Sequence, residues 1–313
     1  MRKVIAEVGY VPNQSARSLS SGRSQLFGVI ISDITNPFFP DLVSSFERLC
    51  MEHNYDTILA NTNYDLKRLH QYLCRMIERR VDGIAIFTSE MDDQSAAMLL
   101  RHKIPVTTLA QGPRSNSFHT VFVDHRPGII KAVQHLAQLG HREIAFIAGP
   151  QDLWSAQRRV EFFCEAMNQS GLSLPPEHIA AGNNRFEGGT MALKHLLKLK
   201  QRPTAVICSN DLMALGVLKG INEVSLRVPD DISLIGLDDL QMVSLASPPL
   251  TSIQIPRTEI ANQAFQTLWT AISDPQMERR ECVLKTKLIV RQSTAPPSLR
   301  KLQTNPLKRK RSS

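Results

Sequence analysis

"LFGVIISDITNPFF", residues 26–39, decides how the rest of the chain is read. "LFGVII" (26–31) is an unbroken apolar run, the pattern of a strand buried on both faces. "SDITNPFF" (32–39) is a polar turn that closes on two phenylalanines. From there Phe38, Phe39, Leu42, Val43, Phe46 and Leu49 keep helical spacing across 37–53. A buried strand passing through a short turn into an amphipathic helix is the opening of a βαβ unit.

The same step recurs down the chain. "DTILA", "GIAIF", "PVTTL", "TVFVD", "EIAFIAG", "HIAAG", "TAVICS" and "ISLIGLD" read as strands. Amphipathic stretches at 65–80, 95–103, 127–139, 154–170, 187–199 and 210–223 alternate with them. Such alternation predicts parallel sheets with right-handed crossovers. The strands are too many for one sheet, so the expected fold is α/β with two similar lobes. A last helix (256–273) and a last strand, "CVLKTKLIV" (282–290), return to the lobes.

With 313 residues and 42% apolar composition the chain can build two packed cores. No apolar run is long enough to span a bilayer, and none carries a secretory cleavage pattern, so the expected location is the cytoplasm. Cys50, Cys74, Cys164, Cys208 and Cys282 are scattered, with no C-x-x-C. They read as reduced thiols rather than a disulfide framework or a zinc site. The formal charge is +8, and it sits at the ends: +3 in residues 1–25 and +6 in 296–313, around a body close to neutral. Any contact with a polyanion is therefore expected from the ends. Residues 295–313, with three prolines and "KRKR", read as a disordered basic tail.

Enzyme signatures are missing. The turn after "LFGVII" has no G-x-G-x-x-G, and there is no phosphate-binding P-loop, no G-x-S-x-G elbow and no H-E-x-x-H. No catalytic residue, metal or cofactor is expected. His135 and His141 bracket a helix end, where a cation would suit the helix dipole. Polar groups do recur at strand carboxyl ends: Asp33, Asp124, Asn210–Asp211 and Asp238–Asp239. Each could serve alone as a helix cap. Their recurrence at four strand ends favours the ligand edge of parallel sheets, where carboxylates and amides suit a polyhydroxylated molecule.

Five stretches taken in order, "GYVPNQSARSL", "ISDITNPFF", "LAQLGHREIAFIAGP", "AVICSNDLMALGVLKGI" and "VPDDISLIGLDDLQMVSLASPPLTSI", make the chain resemble the lactose/galactose-repressor family of bacterial transcription regulators across residues 2–294. The resemblance implies two Rossmann-like lobes of periplasmic-binding-protein type with three crossings, preceded by a helical headpiece and a hinge helix. On that pattern 1–11 is a headpiece remnant and 12–25 the hinge. The first lobe takes 26–136 with 254–283, and the second 137–253 with 284–294. The resemblance also implies a homodimer or dimer of dimers on operator DNA, a small carbohydrate effector in the cleft, and no membrane.

Carried over residue by residue, the effector site comprises Asp33, Phe38, Phe39, Asp124, Trp154, Arg159, Phe186, Asn210 and Asp238. Asn13, Arg17, Leu19 and Arg23 match the DNA-contacting hinge, with Leu19 as the wedge in the minor groove. His125, Phe162, Ser225 and Ile255 depart from the family's common residues. So does the front of the chain, where the first two headpiece helices have no counterpart; a start codon upstream of Met1 is the expected explanation. A solute-binding protein of the same fold is the alternative reading.

Overall fold

The computed structural model of the chain describes residues 22–88, 91–110, 117–274 and 276–298. They form two α/β units. The chain runs β1 (Leu26–Ile31), α1 (Phe38–Glu52), β2 (Asp56–Asn61), α2 (Leu66–Glu78), β3 (Gly83–Phe87), α3 (Asp93–His102), β4 (Val106–Ala110) and β5 (His119–Asp124). Next come α4 (Arg126–Gln138), β6 (Ile144–Ala148), α5 (Trp154–Gln169), β7 (Ile179–Ala181), α6 (Phe186–Leu196), β8 (Ala205–Cys208), α7 (Asp211–Glu223) and β9 (Ser233–Asp238). It ends with α8 (Gln241–Ser244), β10 (Thr251–Gln254), α9 (Arg257–Ser273), β11 (Glu281–Lys285) and β12 (Lys287–Ile289).

The first unit's sheet has the order β11-β5-β4-β3-β1-β2. β1 lies parallel to both β2 and β3, with Ile30 opposite Ala60 and Ile86. This is the expected fate of "LFGVII": Phe27 through Ile31 are buried because helices cover both faces. On one face Phe27 stacks on Tyr55 at 4.5 Å and meets Phe265 of α9 edge-on at 6.2 Å. On another side of the sheet core, Leu69, Leu73 and Met76 form the buried stripe of α2. Asp65 starts that helix by accepting from the Lys67 amide at 2.8 Å.

The second unit's sheet has the order β12-β10-β9-β8-β6-β7, parallel except for β12. Every residue of β6, β8 and β9 is buried. α6 and α7 cross with their backbones touching: a Cβ at Gly216 would stand 2.0 Å from the Phe186 carbonyl oxygen. Only glycine permits that approach.

Three expectations change. The first lobe was expected to run to 136, but the unit boundary falls at Phe122/Val123. The reason is α4, whose buried Ile129, Ala132, Val133 and Leu136 pack with α5, β10 and β12 of the second unit. The other crossings lie at Pro256/Arg257 and Cys282/Val283, three residues and one residue from the expected points. Second, the single strand expected at 282–290 is two strands in two sheets, broken at Thr286. Its hydroxyl donates to the Asp124 carbonyl at 3.0 Å and accepts from the Gly128 amide at 3.2 Å. β10 was not expected as a strand at all.

Third, the tail does not begin at 295. The Ala295 amide donates to Ser233 Oγ at 3.1 Å, and its carbonyl accepts from His141 Nε2 at 2.9 Å. The expected cationic role of His135 and His141 fails for a physical reason: burial holds both imidazoles below their usual range. They work as neutral ties, His135 to Thr294 at 2.9 Å and His141 to Thr204 at 2.8 Å. The basic block at 308–311 lies outside the described residues.

Candidate functional site

Parallel α/β units expose turns at the carboxyl edge of the sheet, and those turns carry the second unit's polar cluster. Its centre is Arg159, one turn into α5 and only 9% exposed. The guanidinium donates to the Ser209 carbonyl at 2.8 Å, just beyond β8. A second nitrogen lies 3.4 Å from His125 Nε2. A guanidinium can only donate, so Nε2 must present its lone pair and the imidazole proton sits on Nδ1. Burial, and then the positive charge of Arg159, hold His125 well below its ordinary pKa, so the ring is neutral.

Three buried polar atoms here have no hydrogen-bond partner among the described residues: His125 Nδ1, Ser209 Oγ and Asn184 Oδ1. Each such atom costs about 1–3 kcal/mol when left dry. Native structures keep few such atoms, so three of them on residues around one buried cation stand out.

Asn210, next to Ser209, is already engaged. Its side-chain oxygen caps α7 through the Met213 amide at 2.9 Å, and its nitrogen donates to the Asn184 carbonyl at 2.7 Å. The capping role is therefore realised, and the same amide ties the α6 approach to the α7 start. Asp124, one residue ahead of the α4 N-cap His125, accepts from the Arg126 amide at 3.0 Å and presents its carbonyl to Thr286.

Asp238 ends β9 beside the β8 edge and is 4% exposed. It has φ 122°, and Asp239 follows at φ 56°. Two successive non-glycine residues in the left-handed region are strained, and surrounding structure has to hold them. Asp211 does much of this. Fully buried, it accepts from the Leu240 amide at 2.7 Å and from Ser252 Oγ at 2.7 Å. Asp239 is clamped by Arg291 at 2.7 Å and Gln254 at 2.8 Å. A Cβ at Gly236 would fall 2.0 Å from Asp211 Oδ1, so glycine alone leaves the carboxylate room.

The aromatic candidates are placed elsewhere in their local packing. Arg158 lies 5.6 Å from the Trp154 ring and 4.6 Å from the Phe162 ring, so the three form one i, i+4, i+8 stripe on α5. This accounts for Phe162, whose ring serves that stripe. Phe186 is half-buried, lies 5.5 Å from Lys219, and lines a shallow 560 Å³ depression with Leu215 and Asn222. In the first unit, Asp33 shapes the β1–α1 turn by accepting from Thr35 N at 2.9 Å and Thr35 Oγ1 at 2.6 Å. Phe38 and Phe39 are buried in the first turn of α1. Asn13, Arg17 and Leu19 lie outside the described residues, and Arg23 donates to the Ile272 carbonyl at 3.0 Å.

Sequence reasoning passed over Ser209 and Asn184, named Asp211 only as part of a strand-end pair, and noted His125 only as a departure. The available signal was the second member of each pair, in "ND" and "DD", which holds the loop on which the first stands.

Two α/β units with repeated chain crossings, and buried polar groups unpaired at a sheet's carboxyl edge, define a periplasmic-binding-protein-like sensor. A periplasmic binding protein-like domain matches residues 133–294. The ribose operon repressor of Escherichia coli K12 is 34% identical over 290 residues, covering 92% of this chain and 88% of the relative. The HTH-type transcriptional repressor PurR of Vibrio campbellii is 31% identical, covering 92% and 87%. A ribose-bound LacI family regulator from Enterococcus faecium is similar in structure, with TM-score 0.79 and 30% identity over 87% of this chain and 100% of that one. The chain belongs to the LacI family of ligand-responsive transcriptional repressors.

Proposed function

We propose that this protein represses transcription from a DNA operator and responds to a small polyhydroxylated effector, a pentose or ribosyl compound, held around Arg159. The observation that carries this reading is the buried guanidinium surrounded by unpaired His125 Nδ1, Ser209 Oγ and Asn184 Oδ1. Together they offer donors and an acceptor to hydroxyl groups, and Asp238 adds a carboxylate on a strained, braced turn. A relative named for the ribose operon and a ribose-bound structure favour a ribosyl-sized ligand.

Asn13, Arg17 and Leu19 are the proposed DNA contacts, in a cytoplasmic homodimer or dimer of dimers, as the family resemblance implies. The test is thermal unfolding with D-ribose, D-glucose and hypoxanthine. An effector at 100 times its Kd stabilises by about 2.7 kcal/mol, several degrees of melting temperature. Ribose should give this shift and Asp238→Asn should remove it. A shift from hypoxanthine alone would reassign the effector class; a ribose shift that survives Asp238→Asn would move the site. Leu19→Ala should weaken duplex DNA binding and leave the ribose shift unchanged.

A further inference from the structure

The cysteines carry no metal signature in sequence, but folding gives one of them two soft neighbours. Cys74 lies on α2, with His70 one turn before it on the same face. Its Sγ stands 3.9 Å from His70 Nδ1. Met98 of α3 brings its thioether sulfur to 3.8 Å from the same Sγ. All three residues are partly exposed, so an ion can reach them from solvent. Asp92, the α3 cap, accepts from the Ser95 amide at 2.8 Å. Hydrogen bonds from Ser95 lower its pKa first, and the His70 charge adds to this, so the ring sits beside the start of α3.

Each contact has an ordinary explanation on its own. His70 and Cys74 are neighbours at i, i+4, as on any helix, and Met98 packs against the core that holds Leu69, Leu73 and Leu99. Together they make a donor set. Met98 Sδ has no proton to give, and one thiol proton cannot serve both Sδ and Nδ1. In a trigonal site with metal–sulfur bonds of about 2.3 Å and a metal–nitrogen bond of about 2.0 Å, neighbouring donors stand about 3.7–4.0 Å apart. Both separations at Cys74 fall in that range.

The donor types select the ion. Thiolate and thioether sulfurs favour soft Cu(I), and imidazole binds it as well. Among the described residues no three histidine, cysteine or acidic side chains gather as a metal site, so a zinc-type or calcium-type ion finds no ligand set. A thiolate also cancels the single charge of Cu(I), which suits a partly buried place. Burial pushes the thiols of Cys50, Cys164, Cys208 and Cys282 up, which resists the thiolate form that a metal needs.

We propose that His70 Nδ1, Cys74 Sγ and Met98 Sδ form a three-coordinate Cu(I) site that joins α2 to α3. On binding, the thiol proton leaves to solvent, and Nδ1 presents its lone pair with the imidazole proton on Nε2.

The experiment is anaerobic titration of the full chain with Cu(I) against bicinchoninic acid, a chromophoric Cu(I) chelator, followed by X-ray absorption of the loaded protein. The parent should hold one Cu(I) per chain against the chelator, in a shell of two sulfurs and one nitrogen. Met98→Leu keeps every thiol and nearly the same side-chain volume. It should lower affinity at least about tenfold, the loss that even outer-shell changes bring. Should Met98→Leu not fold, His70→Gln must show the same loss. One equivalent of Ag(I), a redox-inert stand-in, should raise the melting temperature of the parent and not that of Cys74→Ser. Unchanged affinity in Met98→Leu, or an all-sulfur shell, would put the copper on other thiols and overturn the proposal. So would a parent that yields all its Cu(I) to the chelator, or a Cys164→Ser variant that loses as much affinity as Cys74→Ser.

Discussion

Asp211 gives the sharpest test of how the second unit is built. Its carboxylate is fully buried and receives two short bonds, from Leu240 N and Ser252 Oγ, both at 2.7 Å. Bonds to a charged acceptor contribute about 1.5–3 kcal/mol each, so Asp211→Ala should lower stability by about 3–5 kcal/mol. Asp211→Asn should cost about 1–2 kcal/mol, because Oδ1 can still face the Leu240 amide while the serine hydroxyl turns to accept from the new NH₂.

Gly236→Ala acts on the same carboxylate by placing a methyl group 2.0 Å from Oδ1, an overpacking cost of about 1–3 kcal/mol. In an Asp211→Ala background that obstacle is gone, so the second substitution should add little. Equilibrium urea unfolding of the two single variants and the double variant measures this coupling. The reasoning is refuted if the two costs add within about 0.5 kcal/mol, or if Asn costs as much as Ala. Ribose affinity should fall with stability in these variants, because Asp238 stands on the turn that Asp211 holds.

Stability should fall as pH drops below about 6.5, the unfolded histidine value, because His119, His125, His135 and His141 all have lowered folded pKa values and the unfolded chain binds more protons. Above that value their contribution is fully present; a urea midpoint equal or higher at pH 5.5 than at pH 7.5 would contradict this. His125→Phe removes the acceptor facing the Arg159 guanidinium and should cost about 1–2 kcal/mol while weakening the ribose-induced shift. Calorimetry would show an unaltered melt if the 3.4 Å contact were incidental. Thr286→Val leaves the Gly128 amide without its hydroxyl partner, and a loss of about 1–2 kcal/mol is expected in denaturant titration.

The strands and helices were legible because their signals are local. The cores of three strand runs, "LFGVII", "IAFIA" and "AVIC", are apolar throughout, the composition of a parallel strand covered on both faces. The strand–helix order then dictated two parallel sheets, and motif resemblance pointed to Arg159, Asn210 and Asp238. Short or shared segments were not legible. β10 is four residues long, and "CVLKTKLIV" has one continuous pattern although Thr286 divides it between sheets. Nothing local in α4 says which unit its apolar stripe will cover.

The site divides in the same way. Which residues carry charge and amide groups was written in the sequence, and so was their place at strand ends. What each one does depends on partners far along the chain. Asn210 became a cap and a tie because Asn184, 26 residues away, meets it. His125 became a neutral acceptor because Arg159, 34 residues on, can only donate. Asp211 became a brace because Ser252 and Leu240 close on it. Periodicity is a property of neighbours in sequence, whereas burial, tautomer and strain are set by neighbours in space, and only the packed structure supplies those.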